Sequence, residues 1–141
     1  MTNQPVIQVH HLDHYFGSGQ LRKQALFDID LEISAGEIVI MTGPSGSGKT
    51  TLLTLMGGLR SAQSGSLVVL GKELCGAKQD ALVKARRSNG YIFQAHNLHG
   101  SLSALDNVQM GLEVHGLWGR QARRQQAQKM LEQVGLGDRI N

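Results

Sequence analysis

The sequence is poor in cysteine and contains no long apolar run. Cys75 is the single cysteine among 141 residues, which excludes an internal disulfide and fits a reducing compartment. No stretch approaches the roughly 20 consecutive apolar residues that a membrane-spanning helix needs. The N-terminal stretch carries His10, His11, Asp13 and His14 where a secretory signal would need an apolar core. These absences favour a cytoplasmic chain, unless a partner holds it at a membrane.

Positive charge is also not concentrated enough to indicate a nucleic-acid partner. The net charge is +3, and the basic residues are dispersed except at residues 86–87 and 120–124. Arg120, Arg123, Arg124 and Lys129 are expected on the solvent-facing side of a helix. The six histidines lack cysteine partners or a carboxylate cluster, so no structural metal site is predicted.

Several segments have strand patterns. Apolar and acidic residues alternate over residues 27–33, which predicts a half-exposed strand with its apolar side inward. Residues 38–41 form a continuous apolar run rich in β-branched residues, which predicts a central parallel strand covered on both faces. Shorter strands are predicted at residues 6–9, 67–70 and 91–93. With 141 residues, the chain has the length of one domain.

Helical spacing predicts three helices, one after residue 48, one over residues 80–87 and one near the end of the sequence. The predicted inward residues, in chain order, are Leu52, Leu55, Met56, Leu59, Ala81, Leu82, Ala85, Ala127, Met130, Leu131 and Val134. The first helix is expected to end near Gly57 and Gly58, and Gly135 is expected to cap the last one.

The strongest signal lies between the 38–41 run and the first helix. Residues 43–50 read Gly-Pro-Ser-Gly-Ser-Gly-Lys-Thr, a complete phosphate-binding loop. Glycines allow successive backbone N–H groups to curve round a phosphate at the start of a helix, whose dipole favours anions. Lys49 would reach the β- and γ-phosphates, Thr50 would coordinate magnesium, and Thr51 would contact the α-phosphate. The candidate ligand-binding residues are Gly43, Ser45, Gly46, Ser47, Gly48, Lys49, Thr50 and Thr51, and the predicted cofactors are ATP and Mg²⁺.

The loop in its wider context resembles the ATP-binding subunit of ABC transporters. Residues 43–53, Gly-Pro-Ser-Gly-Ser-Gly-Lys-Thr-Thr-Leu-Leu, are similar to that family's form of the loop. Residues 91–94, Tyr-Ile-Phe-Gln, resemble its glutamine loop, and residues 106–108, Asp-Asn-Val, resemble the stretch that follows. The likeness runs from about residue 6 to the last residue.

A narrower resemblance points to one exporter group. Residues 12–17, 40–43 and 94–98 are similar to lipoprotein-release and macrolide-efflux ATPases, and especially to the DevA-type subunit of cyanobacterial heterocyst exporters. The sequence departs from these relatives at residues 88–89, where Ser-Asn replaces an apolar residue before the glycine, and at His99, where leucine is usual.

The family resemblance implies the fold class and two further site residues. It implies an α/β P-loop NTPase core with an N-terminal antiparallel β subdomain within residues 1–94, and the start of a helical subdomain over residues 95–141. It implies that Phe16 stacks on adenine, with Tyr15 as the alternative one residue away. It also implies that Gln94 contacts magnesium and the attacking water, and links the nucleotide to a membrane partner.

The implied function is ATP hydrolysis that powers a membrane exporter. The partners would be a transmembrane permease and a second ATP-binding subunit, with the chain at the cytoplasmic side of the membrane and no nucleic acid bound. The family's signature loop, Asp-Glu strand end and switch histidine are not found, so the fold is expected to be incomplete. The 141-residue chain is expected to bind nucleotide weakly at best, without turnover.

Two alternatives remain open. The chain could belong to an ABC-type ATPase that acts on nucleic acid or ribosomes, or it could be a non-catalytic nucleotide-binding remnant. Residues 97–108 resemble the transporter surface that receives a permease helix, which favours the exporter.

Overall fold

The computed structural model describes residues 5–95, 97–114, 116 and 119–140, without the side chain of residue 114. These residues divide into two compact units, residues 1–91 and 92–141. The predicted subdomain boundary after residue 94 stays a prediction. His96, which is part of the 94–98 motif, lies outside the described residues.

The first unit contains a four-stranded antiparallel sheet. Its strands are β1 (Pro5–Phe16), β2 (Lys23–Ser34), β3 (Ser64–Val69) and β4 (Lys72–Glu73), in the order β2-β1-β3-β4. A short 3₁₀ helix, Gly19–Leu21, connects β1 to β2. The predicted antiparallel β subdomain is confirmed, and the strands predicted at residues 6–9 and 27–33 are parts of longer ones.

An irregularity in the β1–β2 pair corrects the predicted facing of one residue. The register shifts between Val9 and Leu12, and both His11 and Asp28 adopt positive φ, at 48° and 47°. Bulges of this kind re-aim side chains relative to the strict alternation of a strand. Phe27 is therefore 64% exposed, although the alternating pattern predicted it to face inward. From Ile29 to Ile33 the apolar residues are the less exposed ones, as predicted.

Two helices pack beside the sheet, α1 (Lys49–Met56) and α2 (Gln79–Ser88). Helix α1 ends at Gly57, as predicted. The core combines apolar residues of the strands, of the helices and of the segments that flank them: Val9, Leu12, Leu26, Leu52, Leu55, Met56, Ala62, Leu67, Val69, Leu74, Leu82 and Ala85. Ala81 is exposed, which corrects the prediction that it faces inward. Helix α2 contacts the core along a narrow stripe that holds Leu82 and Ala85, the two buried residues of the helix.

The strands predicted at residues 38–41 and 91–93 do not form. Ile38 is 94% exposed, Ile40 and Ile92 are similarly exposed, and no described residue extends the sheet to either segment. A buried parallel strand requires neighbours that satisfy its backbone N–H and C=O groups. The described part of the chain supplies no sheet neighbour for residues 38–41, so this apolar run stays outside the sheet.

The second unit contains helices α3 (Ala104–Val114) and α4 (Arg120–Gln133), followed by a 3₁₀ helix, Gly137–Arg139. Leu105, Ala127 and Leu131 form its small core. Met130 and Val134 are exposed, which corrects their predicted burial, because a single facing helix covers only a narrow stripe of α4.

The predicted glycine cap of α4 is confirmed in detail. Gly135 has φ of 75° and donates its N–H to the Glu132 carbonyl at 3.0 Å, while Leu136 donates to the Leu131 carbonyl at 2.8 Å. This pair of hydrogen bonds is a Schellman motif, which needs a left-handed residue that glycine adopts without strain.

Arg123 departs from its predicted place on the solvent-facing side of α4. Its side chain is 17% exposed and forms an ion pair with Glu113 of α3. Its Nε is buried without a hydrogen-bond partner among the described residues. Arg123 therefore contributes to the α3–α4 contact.

Within the described residues, no helix combines the length and apolar character that crossing a membrane would require.

Candidate functional site

Three glycines shape the loop between residue 42 and helix α1. Gly43, Gly46 and Gly48 have φ of 148°, 81° and 90°, values that residues with a Cβ rarely adopt. Between them the chain turns tightly, and the Ser47 N–H donates to the Pro44 carbonyl at 3.3 Å. The glycine spacing in the sequence thus corresponds to the curved backbone that a phosphate-binding loop requires.

Gly48 also sets the start of helix α1. It is the residue before the first helical turn, and its carbonyl accepts a hydrogen bond from Leu52 at 2.9 Å. A Cβ at this position would lie 2.6 Å from Leu26 Cδ2 and 2.8 Å from the Ala25 carbonyl oxygen. The glycine therefore allows the loop to press against β2. No side chain caps the first N–H groups of α1, so they remain available to an anion.

The Lys49 ammonium group lies inside the loop. Its Nζ donates to the carbonyl oxygens of Gly43 and Pro44, each at 2.8 Å, and to Ser47 Oγ at 3.2 Å. These acceptors hold the positive charge where the loop curves. All three contacts are exposed, so a phosphate group could replace some of them with a stronger charge-assisted hydrogen bond.

A cavity of about 610 Å³ opens beside the loop. Most of the predicted ligand-binding residues line it: Phe16, Ser45, Gly46, Ser47, Gly48, Lys49, Thr50 and Thr51. Gly43 instead lines a neighbouring cavity of about 370 Å³, where it accepts the hydrogen bond from Lys49. The structure thus collects an aromatic ring, a lysine, two threonine hydroxyls and a helix N-terminus around one space.

The two candidate aromatic residues have different surroundings. Phe16 lines the cavity and is 37% exposed. Tyr15 is not among the residues that line it, and the Arg22 guanidinium lies 3.8 Å from the centre of the Tyr15 ring. This geometry favours Phe16 as the residue available to a base.

Two further side chains contact the Phe16 ring. His14 meets it edge to face, with ring centres 5.0 Å apart at 84°, and the Arg60 guanidinium lies 5.0 Å from the ring centre. His14 is only 4% exposed, and its Nδ1 has no hydrogen-bond partner among the described residues. Burial, and to a smaller extent the Arg60 charge, lower the pKa of His14, so the ring is neutral at physiological pH.

The predicted magnesium residues are placed differently. Thr50 lies in the first turn of α1 and lines the cavity, where its hydroxyl could serve as a metal ligand. Gln94 lies in an exposed turn of the second unit. Its predicted role at the metal stays a prediction.

One wall of the cavity was not predicted from the sequence. Lys23, Gln24, Ala25 and Phe27, at the start of β2, complete the lining. Lys23 pairs with Phe16 across the β1–β2 ladder, which brings this wall to the aromatic residue. The glycine turn between residues 17 and 19 was the available signal, since it places the next strand beside the end of β1.

The fold also assembles a carboxylate cluster that the sequence pattern did not reveal. His11, Asp28 and Asp30 bring three potential metal-ligand atoms within 4.8 Å of one another, all exposed. His11 Nδ1 lies 2.7 Å from Asp28 Oδ1, and this hydrogen bond is the main cause of the raised His11 pKa. The ion pair accounts for the arrangement, because it bridges the two bulged positions of β1 and β2.

Comparison with known families agrees with the sequence motifs. The model of the family described as "ABC transporter" matches residues 26–141. The chain is 42% identical over 139 residues to the macrolide export ATP-binding/permease protein MacB 1 of Aeromonas hydrophila, covering 98% of this chain and 21% of that protein. It is 39% identical over 140 residues to the lipoprotein-releasing system ATP-binding protein LolD 2 of Rhodospirillum rubrum, covering 97% and 60%.

Solved structures give the same fold. The dimeric, ADP- and phosphate-bound structure of the ATP-binding cassette MJ0796 superposes with a TM-score of 0.82 at 31% identity, covering 95% of this chain and 59% of that one. The chain thus spans about a fifth of the macrolide export relative and about three fifths of the lipoprotein-releasing relative and of the solved cassette.

Proposed function

The chain belongs to the ABC transporter family, and on this premise we propose that it is the nucleotide-binding part of an ATPase that powers a membrane exporter. The observation that carries the proposal is the placement of residues 45–51 and Phe16 around one cavity at the N-terminus of α1. A nucleoside triphosphate fits this arrangement, because it has an anionic end for the loop and an aromatic end for the ring.

In the proposed complex the phosphates occupy the curve of the loop. Backbone N–H groups of residues 46–50 and the α1 dipole would stabilise the negative charge. Lys49 would exchange its carbonyl acceptors for phosphate oxygens, and Lys23 would add positive charge at the opposite wall. Thr50 would hold Mg²⁺, which would supply positive charge against the phosphates, and Thr51 would contact the α-phosphate.

Hydrolysis and transport are properties of the proposed whole protein. Gln94 is proposed to orient the attacking water and to relay the state of the nucleotide to a permease. The relatives named above are ATP-binding/permease and ATP-binding proteins of export and release systems, and the solved cassette is dimeric. The proposed partners are accordingly a permease at the cytoplasmic face of a membrane and a second ATP-binding subunit.

The main rival is an ABC-type ATPase that acts on nucleic acid or ribosomes. The names of the curated relatives, which are export and release systems, favour the exporter. Co-purification with a membrane permease would support the exporter. Retention on ribosomes or RNA at physiological salt, without a permease, would support the rival.

We expect the aromatic ring of Phe16 to determine how much the adenine base contributes to the affinity for ATP. Phe16→Ala should weaken ATP binding roughly 5- to 160-fold, because base–aromatic stacking is worth about 1–3 kcal/mol. Phe16→Tyr should bind within about twofold of the parent chain, because stacking uses only the face of the ring. Equilibrium dialysis against radiolabelled ATP and Mg²⁺ measures both variants.

Tyr15→Ala is the matched control for this experiment, because the two rings are neighbours on β1. The variant should retain ATP affinity if Phe16 is the stacking residue. A larger loss from Tyr15→Ala than from Phe16→Ala would contradict the assignment and move the base contact by one residue.

A further inference from the structure

Two side chains from outside the loop contact the Phe16 ring. The His14 ring meets it edge to face, and the Arg60 guanidinium lies 5.0 Å from its centre. Arg60 is not among the described residues that line the cavity, whereas Phe16 is. Phe16 is 37% exposed and lines the cavity, so part of its surface stays open there although the guanidinium contacts the ring.

Resting on the proposed function, we propose that Arg60 and His14 are positioning residues that hold the Phe16 ring as a platform for the purine base. Neither side chain needs to touch the nucleotide. His14 supplies a rigid support, because it is buried within the strand that ends at Phe16. Arg60, which follows the end of α1, supplies a cation against the electron-rich face of the ring.

The physical consequence concerns the cost of ordering the ring. A side chain that is already held in place loses little freedom when a ligand binds, whereas a mobile one must be immobilised at that moment. Phe16 is more than one-third exposed, so without Arg60 the ring would be restrained on fewer sides. Arg60 should therefore affect the base contact and leave the phosphate contact unchanged.

A matched pair of arginines makes this testable. Arg22 lies 3.8 Å from the Tyr15 ring, while Arg60 lies 5.0 Å from the Phe16 ring, so the chain carries two cation–aromatic pairs side by side. Tyr15 does not line the cavity. Arg22→Met thus removes the same charge and a cation–aromatic contact at Tyr15, a ring that does not line the cavity.

The experiment measures the affinity of the full chain and its variants for Mg²⁺-ATP and for inorganic tripolyphosphate. We expect Arg60→Met to weaken ATP binding about 2- to 10-fold and to leave tripolyphosphate affinity unchanged. Arg60→Lys should recover most of the loss, since it retains the cation. Arg22→Met should behave like the parent chain with both ligands.

Three results would overturn the proposal. Arg60→Met could bind ATP as the parent does, it could lose affinity for both ligands equally, or Arg22→Met could cause the selective loss. A different result would contradict the proposed function, namely ATP binding that Lys49→Ala does not weaken. The positioning proposal and the proposed function are both supported if Arg60→Met alone loses ATP affinity, keeps tripolyphosphate affinity, and is rescued by Arg60→Lys.

Discussion

Lys49→Ala is expected to lower ATP affinity at least about 30-fold, because truncating one partner of a close charge pair costs 2 kcal/mol or more. In the structure the Lys49 ammonium lies within 2.8 Å of two loop carbonyl oxygens, at the centre of the curve that would receive phosphate. Neither threonine of the loop can supply a positive charge in its place. Equilibrium dialysis with labelled ATP measures the loss.

The control for this variant is Lys84→Ala, which removes the same charge from the exposed side of α2. It should retain ATP affinity, which excludes a general effect of net charge. Thermal unfolding of both variants should show folded protein. Equal ATP affinity of Lys49→Ala and the parent chain would refute the assignment of the loop.

Gly48→Ala is expected to be the most destabilising single change in the loop. The left-handed backbone at this position costs about 1–2 kcal/mol for alanine. The added Cβ would also lie 2.8 Å from the Ala25 carbonyl oxygen, which belongs to β2 and cannot turn away as a side chain could. Overpacking of this kind adds about 1–3 kcal/mol. Urea unfolding should therefore show a loss of about 2–5 kcal/mol in the free energy of unfolding.

Gly46→Ala separates the two causes. Gly46 has φ of 81°, close to that of Gly48, but a Cβ there meets nothing within 4 Å. This variant should lose only the conformational part, about 1–2 kcal/mol. Equal losses for the two variants would show that the contact between Gly48 and β2 has no energetic role.

The loop and its helix could be predicted from the sequence because their information is local. The glycine spacing requires positive φ at Gly46 and Gly48, and both have it. The apolar spacing of Leu52, Leu55 and Met56 places one face of α1 in the core, and all three are buried. The Gly135 cap is equally local, since it depends on hydrogen bonds within six residues.

The errors arise where a pattern depends on distant partners. The apolar run at residues 38–41 has the composition of a central strand, but a strand also requires neighbours, and the described residues provide none. The alternating pattern predicts that Phe27 faces inward, but the bulge at Asp28 turns its side chain to the exposed side. The burial of Arg123 depends on Glu113 of another helix, which helical periodicity cannot reveal.

The candidate site shows the same division. Each loop residue was predicted from one short motif, and the structure places residues 45–51 around one cavity. The wall formed by Lys23, Gln24 and Ala25, and the contact of Arg60 with Phe16, come from strand pairing and from the path of the chain after α1. Such contacts between segments far apart in the sequence carry no local signature.

The most direct test of the central claim is the NMR spectrum of the ¹⁵N-labelled chain during titration with Mg²⁺-ATP. The largest changes in amide chemical shift should fall on residues 46–50, whose N–H groups are proposed to contact the phosphates, with further changes near Phe16. Saturable ATP binding that leaves these amides unchanged and shifts residues elsewhere would contradict the claim.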